Sequence, residues 1–371
     1  MPNHDRTFNF SAGPAGLPLP VLEQAQQEML NFRGCGASIL EISHRSTAFI
    51  DVLDSAKNGI RQLLGANDDF EVLFLQGGSR LQFSMVPLNL LQSDTDRGNY
   101  VVTGTWSDKA YQEATNCHVT DMIWSGKEIG YNDLPNPTDL QSLVTNDAAY
   151  VYYTSNETIQ GIQFQDDLIF DTAPTICDAS SDFLSRPIDM NNYGMIYACA
   201  QKNAGPAGVT IVVIRKDLLA PTTNEYPGYL NYCNHADANS MYNTPPTFAI
   251  YMVDLVCQWL LNDIGGLEQM DLINRKKAEL LYATIEELPD MYSGHAVPAN
   301  RSLMNVTFRL PSEKLTDLFL KQANDQGLTN LQGHRSVGGI RASIYNSMSH
   351  EGVLALRNFM KSFYTQNSCS S

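Results

Sequence analysis

The sequence has little positive charge and no paired cysteines. It contains 24 Lys and Arg residues against 40 Asp and Glu residues, so its formal net charge is −16. Proteins that bind nucleic acid or anionic lipid need a concentration of basic side chains, and this balance argues against both kinds of partner. The seven cysteines form no CxxC pair, which argues against zinc and disulfides and favours reduced thiols in the cytoplasm. We therefore expect a cytoplasmic protein with no metal, nucleic-acid or membrane partner.

Long apolar segments are also missing. The first residues lead into no apolar segment of the kind found in a signal peptide. Aliphatic runs such as residues 211–214 are far shorter than the roughly 20 residues of a membrane-spanning helix. Apolar residues make up 43% and charged residues 17% of the 371 residues, a globular balance in a chain too long for one ordinary core. The composition therefore predicts two packed domains.

Short β-branched segments alternate with longer amphipathic segments, which is typical of an α/β protein. The pattern predicts strands at residues 71–75, 100–103, 150–154, 175–178, 194–198 and 209–215. It predicts helices at residues 21–32 and 47–64, and from Gly78 to residue 91. From about residue 251 the alternation changes, with helices predicted at 268–288, 312–326 and 350–364 and a strand at 302–310. We interpret this last part as a smaller C-terminal α+β domain.

A lysine and an aspartate follow two successive predicted strands. Lys202 precedes a Gly/Pro-rich turn, where burial can leave it as the neutral amine that Schiff-base chemistry requires. Asp178 ends the earlier strand, where a carboxylate can keep a pyridine nitrogen protonated. An isolated lysine is most often a solvated turn residue, and an isolated aspartate is most often a helix cap. The order of the two residues on successive strand ends favours the cofactor chemistry.

Three further features carry candidate binding residues. Residues 75–80 (LQGGSR) join a strand to a helix whose first N–H groups suit a phosphate, although the segment is neither a Walker A nor a GxGxxG motif. Trp106 follows a strand and either stacks on a flat ring or packs in the core. Two segments of this Arg-poor chain carry several cationic side chains each. Such side chains either bind carboxylate or phosphate oxygens of a ligand or form surface salt bridges. They are His44, Arg45, His334, Arg335 and Arg341.

Together these segments resemble the phosphoserine aminotransferases, a class V family of the fold-type I pyridoxal-phosphate enzymes. The resemblance runs almost end to end. It includes residues 8–15 (FNFSAGPA), 43–45 (SHR), 156–161 (NETIQG), 180–189 (SSDFLSRPID), 200–210 (AQKNAGPAGVT), 242–248 (YNTPPTF), 301–306 (RSLMNV) and 333–346 (GHRSVGGIRASIYN). It implies an α/β fold of type I. In that fold a large domain at residues 17–262 has a mainly parallel, seven-stranded sheet, and residues 1–16 and 263–371 form a smaller α+β domain.

The resemblance also implies pyridoxal 5'-phosphate as the cofactor and a role for individual residues. Lys202 would form the Schiff base, and Asp178 would pair with the ring nitrogen. Cofactor contacts are implied for Ser79, Arg80, Trp106, Thr158 and Gln201, and for Asn243 and Thr244 of the neighbouring subunit in a homodimer. Substrate contacts are implied for Ser11 and for Arg341, which would hold the α-carboxylate. The pocket for the substrate phosphate or the glutamate side chain, shared between subunits, is implied for His44, Arg45, Arg80, His334 and Arg335. Cys199 departs from the family, because many members carry glycine there.

The implied reaction transfers the amino group of L-glutamate to 3-phosphohydroxypyruvate and yields 2-oxoglutarate and O-phosphoserine, a step of serine biosynthesis. One alternative is another class V enzyme, such as an alanine–glyoxylate type aminotransferase or a cysteine desulfurase. A desulfurase needs a mobile cysteine loop, and the only C-terminal cysteine is Cys369 in the polar tail. The other alternative is a non-catalytic protein that binds pyridoxal phosphate. The presence of both Lys202 and Asp178 argues against it.

Overall fold

The computed structural model describes residues 6–219 and 226–368. Its strands, in chain order, are β1 (Phe8–Asn9), β2 (Phe70–Leu75), β3 (Arg97–Val102), β4 (Thr120–Ser125), β5 (Ala148–Thr154), β6 (Asn156–Glu157), β7 (Ile162–Gln163), β8 (Thr175–Asp178), β9 (Met195–Cys199), β10 (Thr210–Arg215), β11 (Ser293–Gly294), β12 (Asn305–Arg309), β13 (Leu328–Thr329) and β14 (Ile340–Ser343). Its α-helices are α1 (Leu19–Glu28), α2 (Thr47–Leu64), α3 (Gly78–Leu90), α4 (Thr105–Cys117), α5 (Pro137–Leu143), α6 (Tyr232–Asp237), α7 (Thr247–Gln258), α8 (Leu267–Glu287), α9 (Glu313–Asp325) and α10 (His350–Asn367).

Seven of these strands form a central sheet in the order β2-β10-β9-β8-β5-β3-β4. All neighbouring strands are parallel except β10, which is antiparallel to both β2 and β9. Helices α2 and α7 cover one face of the sheet, and α3 and α4 cover the other. Strands buried on both faces are apolar along their whole length, as β10 (TIVVIR) is. The predicted α/β fold with a mainly parallel, seven-stranded sheet is confirmed.

The direction of the strands brings the candidate residues to one edge of the sheet. Strands β2, β3, β5, β8 and β9 all run the same way, so their carboxyl ends lie side by side. Open α/β sheets bind their ligands at this edge. Asp178 ends β8, and the segments that follow β2, β3 and β9 carry Ser79, Trp106 and Lys202.

A second apolar core lies outside the central sheet. Strands β11, β12 and β14 form an antiparallel sheet, and α8, α9 and α10 pack with it. Phe10 belongs to this core, and β1 pairs with β13. Leu267 and Met270, at the start of α8, pack in the core of the large sheet instead. This packing supports the division into residues 17–262 and residues 1–16 with 263–371, except in the first turns of α8, and the division stays a proposal.

Local hydrogen bonds explain where two elements differ from their predicted bounds. Helix α1 ends at Glu28, short of the predicted residue 32, and a separate turn follows at Phe32–Gly34, in which Arg33 has a φ of 47° and the Cys35 N–H donates to the Phe32 carbonyl oxygen. The strand predicted from residue 302 begins at Asn305, because Ser302 Oγ accepts the N–H groups of Met304 and Asn305 in a turn. Within the described ranges, no helix is both long and apolar enough to cross a membrane.

Candidate active site

Lys202 lies in the turn that follows β9. Its Nζ donates a hydrogen bond to Thr158 Oγ1 at 2.7 Å and lies 5.8 Å from the centre of the Trp106 ring. Burial lowers the pKa of Lys202, and the carboxylate of Asp178 opposes this shift. The surroundings of Lys202 therefore favour the neutral, nucleophilic form of the amine more than water does.

Asp178 is a buried carboxylate at the end of β8, with only 3% of its surface exposed. The N–H of Ser180 donates a hydrogen bond to Asp178 Oδ1 at 2.9 Å. Burial raises the pKa of Asp178, while the bonds from Ser180 and the charge of Lys202 act in the opposite direction. A buried carboxylate is stabilised by a cation beside it, so Asp178 suits the protonated nitrogen of a ring.

Trp106 is the second residue of α4, which begins directly after β3. The N–H groups of Trp106 and Ser107 donate to the buried carboxylate of Glu157 at 2.9 and 2.8 Å. The positive end of α4 is thereby occupied by a protein carboxylate. In the described part of the chain, the buried Nε1 of Trp106 has no hydrogen-bond partner.

Helix α3 begins at the same edge of the sheet without a side-chain cap at Gly77. The N–H of Ser79 faces Cys199 Sγ at 3.0 Å, and Ser79 Oγ lies 2.7 Å from Ser180 Oγ. Gly78 has a φ of 65°, and a Cβ there would lie 3.5 Å from the Cys199 sulfur. The first turn of α3 therefore packs closely on the end of β9. Because no side-chain carboxylate caps this helix start, it suits an anionic group such as a phosphate.

These residues surround one cavity of about 210 Å³, which we name the first cavity. Its lining includes every cofactor residue predicted within the subunit itself: Ser79, Arg80, Trp106, Thr158, Asp178, Gln201 and Lys202. It also includes residues that the sequence did not single out as binding residues, among them Thr154, Asn156, Ser180, Ser181 and Cys199. Thr154 Oγ1 and Asn156 Oδ1 are buried and have no hydrogen-bond partner among the described residues. The first cavity therefore offers polar groups that a ligand can use.

A second cavity is lined by Gln160, Thr307, His334 and Arg341, among others. Arg341 extends from β14, where it pairs with Thr307 of β12. Burial lowers the pKa of Arg341, and burial together with the charge of Arg341 lowers that of His334. The charge of Arg341 also contributes to the lowered pKa of Lys202. The second cavity is therefore a cationic neighbour of the first and suits a carboxylate.

The N-terminal segment lies against the turn of Lys202. The N–H of Ala15 donates to the carbonyl oxygen of Gln201 at 2.9 Å, and a Cβ at Gly13 would lie 3.4 Å from Lys202 Cγ. Ser11 Oγ accepts a long hydrogen bond from the Gly13 N–H at 3.4 Å. Ser11 is thus placed near the Lys202 turn, although it does not line either cavity.

The remaining predicted residues lie outside the lining of both cavities. His44 is half-buried, and the others are exposed: Arg45, Asn243, Thr244 and Arg335. Asn243 Nδ2 lies 3.5 Å from Gln76 Oε1, directly before the Gly77 turn. A single chain therefore does not bring these residues to Lys202, and their roles stay predictions.

Comparison with known proteins gives one answer over nearly the whole chain. Residues 7–356 match the family model for aminotransferase class-V. The phosphoserine aminotransferase of Rhodopirellula baltica is 52% identical over 365 residues, which cover 98% of this chain and 96% of that protein. The structure of phosphoserine aminotransferase from Bacillus circulans subsp. alkalophilus has a TM-score of 0.95 and 45% identity, covering 98% and 99% of the two chains. A pyridoxal-phosphate-bound phosphoserine aminotransferase from Trichomonas vaginalis has a TM-score of 0.88 and 38% identity, covering 96% of this chain and 100% of that one.

The fold is that of a fold-type I aminotransferase. The chain belongs to the aminotransferase class-V family, which confirms the resemblance predicted from its motifs. The relatives named above are all phosphoserine aminotransferases.

Proposed function

We propose that this chain is a phosphoserine aminotransferase, which transfers the amino group of L-glutamate to 3-phosphohydroxypyruvate and yields 2-oxoglutarate and O-phosphoserine. The observation that carries the proposal is the meeting of Lys202, Thr158, Trp106 and Asp178 around the first cavity, beside the cationic cavity of Arg341. Identities of 52% and 51% with curated phosphoserine aminotransferases support this choice of substrates. The proposed location is the cytoplasm, which the cysteine usage supports.

The lining of the first cavity fits pyridoxal phosphate. Trp106 offers a flat aromatic face, and Asp178 offers a buried carboxylate for the ring nitrogen. The start of α3, which has no side-chain cap at Gly77, offers a place for the phosphate. Lys202 would bind the carbonyl carbon of the cofactor, and Thr158 would lie near its phenolic oxygen. When bound, pyridoxal phosphate supplies a carbonyl that condenses with amines and a ring that accepts the electron pair released at the substrate Cα.

In this proposal the protein moves one proton and holds another. Lys202 Nζ takes the proton from Cα of the amino-acid substrate, because burial favours its neutral form. Thr158 Oγ1 keeps this nitrogen inside the first cavity by its 2.7 Å hydrogen bond. Asp178 keeps a proton on the ring nitrogen, and Arg341 binds the α-carboxylate that both substrates share. Orientation of Cα toward Lys202 then follows from the fixed positions of these groups.

The proposed reaction predicts a colour and a substrate order. Purified protein is expected to be yellow because of the imine at Lys202, and stoichiometric glutamate should change its absorbance and release 2-oxoglutarate. Later addition of 3-phosphohydroxypyruvate should restore the first spectrum and yield O-phosphoserine. Absorbance scans with product analysis measure both steps, and alanine with glyoxylate is the control pair.

Two results would contradict this proposal. A protein that gains no absorbance band after incubation with pyridoxal phosphate would refute the cofactor. A protein that turns over alanine and glyoxylate but not glutamate would be a different class V aminotransferase. The desulfurase alternative depends on Cys369, which lies outside the described residues.

We further propose a homodimer in which each subunit completes the cofactor site of the other. Asn243 and Thr244 are exposed and do not line the first cavity of their own chain, which leaves them available to a partner. Mixing inactive Lys202→Ala subunits with Asn243→Ala subunits is expected to restore activity, because the mixed dimer has one site with both residues intact. Turnover of the mixture, compared with each variant alone after the same dissociation and reassociation, measures this complementation. No gain over the sum of the separate variants would show that Asn243 serves its own chain.

A further inference from the structure

Helix α4 begins with its N–H groups directed at a buried carboxylate. Glu157 is 1% exposed. Its Oε2 accepts the N–H of Trp106 at 2.9 Å, and its Oε1 accepts the N–H and Oγ–H of Ser107 at 2.8 and 2.6 Å. The positive end of the helix and these donors together compensate a buried negative charge. Glu157 thus acts as a cap for α4 from a segment about 50 residues further along the chain.

The start of α4 fits closely around this carboxylate. A Cβ at Gly104 would lie 2.5 Å from Glu157 Cδ. The backbone of Gly104 is extended, with a φ of −173°, so glycine is needed there for space and not for its conformation. Gln160 adds a second connection, since its Oε1 accepts the Thr105 N–H at 3.3 Å and its Nε2 donates to Thr105 Oγ1 at 2.7 Å. The first turn of α4 is therefore held by the hairpin of β6 and β7.

The same hairpin also contacts Lys202 in the first cavity. Thr158, the residue after Glu157, accepts the hydrogen bond from Lys202 Nζ. Glu157 itself does not line the first cavity. It contacts the backbone of Trp106 and Ser107, and its charge opposes the lowering of the Lys202 pKa by burial. The adjacent residues Glu157 and Thr158 therefore connect the backbone of Trp106 with the amine of Lys202.

We propose that Glu157 is a positioning residue that sets the Trp106 ring against the first cavity and so determines how tightly a flat aromatic ring is held there. The inference rests on the proposed function, in which that ring belongs to pyridoxal phosphate. Stacked aromatic rings are stabilised by contact over their faces, so an indole that tilts or recedes loses part of this contact. The proposed effect of Glu157 is on binding of the ring.

Glu157→Gln is the variant that tests this role. The amide has the same shape, but an NH2 group replaces one oxygen and cannot accept a hydrogen bond. One of the N–H groups of Trp106 and Ser107 therefore loses its acceptor. We expect the dissociation constant of pyridoxal phosphate to rise about tenfold, the equivalent of ~1.4 kcal/mol. In a full-length background with Trp124→Phe and Trp259→Phe, Trp106 is the only tryptophan. Its fluorescence should be quenched less at saturating cofactor in Glu157→Gln than in the parent.

Ser312→Ala is the matched control. Ser312 caps α9 by accepting the Leu315 N–H at 3.2 Å, far along the chain from the first cavity, and loss of such a cap costs about 0.5–2 kcal/mol of stability. The control should lower the melting temperature without changing cofactor affinity or quenching at saturation. If Glu157→Gln loses stability but keeps the parent's dissociation constant and quenching, Glu157 is only a structural cap and the inference is wrong. A parent protein that binds no pyridoxal phosphate would refute the proposed function instead.

Gly104→Ala provides a second variant if Glu157→Gln does not fold. Its added methyl group would displace the carboxylate from the α4 N–H groups without removing the charge. Weaker quenching of Trp106 and a raised dissociation constant are again expected. Parent-like values for both quantities in a folded Gly104→Ala protein would overturn the positioning role.

Discussion

Lys202→Ala is expected to lower turnover of glutamate and 3-phosphohydroxypyruvate by at least about 10²–10⁴-fold, the usual contribution of a positioned acid–base group. The amine of Lys202 is the only one that lines the first cavity among the described residues. Without it no side chain there can both bind the cofactor's carbonyl carbon and move the Cα proton. The remaining lining should still bind pyridoxal phosphate non-covalently. Steady-state kinetics measure the loss, and equilibrium dialysis measures the retained cofactor.

Borohydride labelling distinguishes Lys202 from its neighbour. Reduction of the wild-type holoenzyme, followed by peptide mapping, should place the pyridoxyl label on Lys202 alone. Lys109 is the appropriate control, because its Nζ lies 4.8 Å from the centre of the Trp106 ring. Lys109→Met should keep the label, and Lys202→Ala should lose it. A label that persists on another lysine in Lys202→Ala would mean that a different amine binds the cofactor.

The sequence alone predicts those residues of the first cavity whose positions follow from the order of the strands. Asp178 ends one predicted strand and Lys202 follows another, and parallel strands bring their carboxyl ends to the same edge of a sheet. The predicted helix at residues 47–64 matches the observed bounds, and in the structure Ser46 caps it and Gly65 ends it. These signals are local, so they can be read from neighbouring residues.

Features that depend on distant contacts could not be derived in this way. Glu157 lies in residues 156–161, a motif that carries the resemblance, yet nothing near it in the sequence shows that it caps a helix beginning at Thr105. Strand β14, which carries Arg341, pairs with β12 more than 30 residues earlier and follows two glycines that suggest a turn. Thr154 and Asn156 line the first cavity because the end of β5 lies beside Asp178 in the sheet. Each of these contacts exists only once the two sheets are formed.

Arg341→Leu is expected to lower kcat/KM for both substrates alike, by roughly ten- to a hundredfold. The protein is acidic overall, with a net charge of −16, so affinity for anionic substrates must come from short-range cations. A charge-assisted hydrogen bond is worth about 1.5–3 kcal/mol, and about 1.4 kcal/mol corresponds to a factor of ten. Arg341 is half-buried in the second cavity, and glutamate and 3-phosphohydroxypyruvate each present an α-carboxylate to it.

Arg335→Leu separates the α-carboxylate site from the predicted phosphate site. Arg335 is exposed and lies outside both cavities, and the resemblance implies that it binds the part of the substrate that differs, the phosphate or the side-chain carboxylate. Because a phosphate carries more charge than a carboxylate, 3-phosphohydroxypyruvate should lose more kcat/KM than glutamate. Kinetics of the two half-reactions give this ratio, and Arg275→Leu, which removes a surface arginine paired with Asp271, is the control. Equal losses for both substrates in Arg335→Leu would place the phosphate elsewhere, and unequal losses in Arg341→Leu would remove Arg341 from the shared α-carboxylate site.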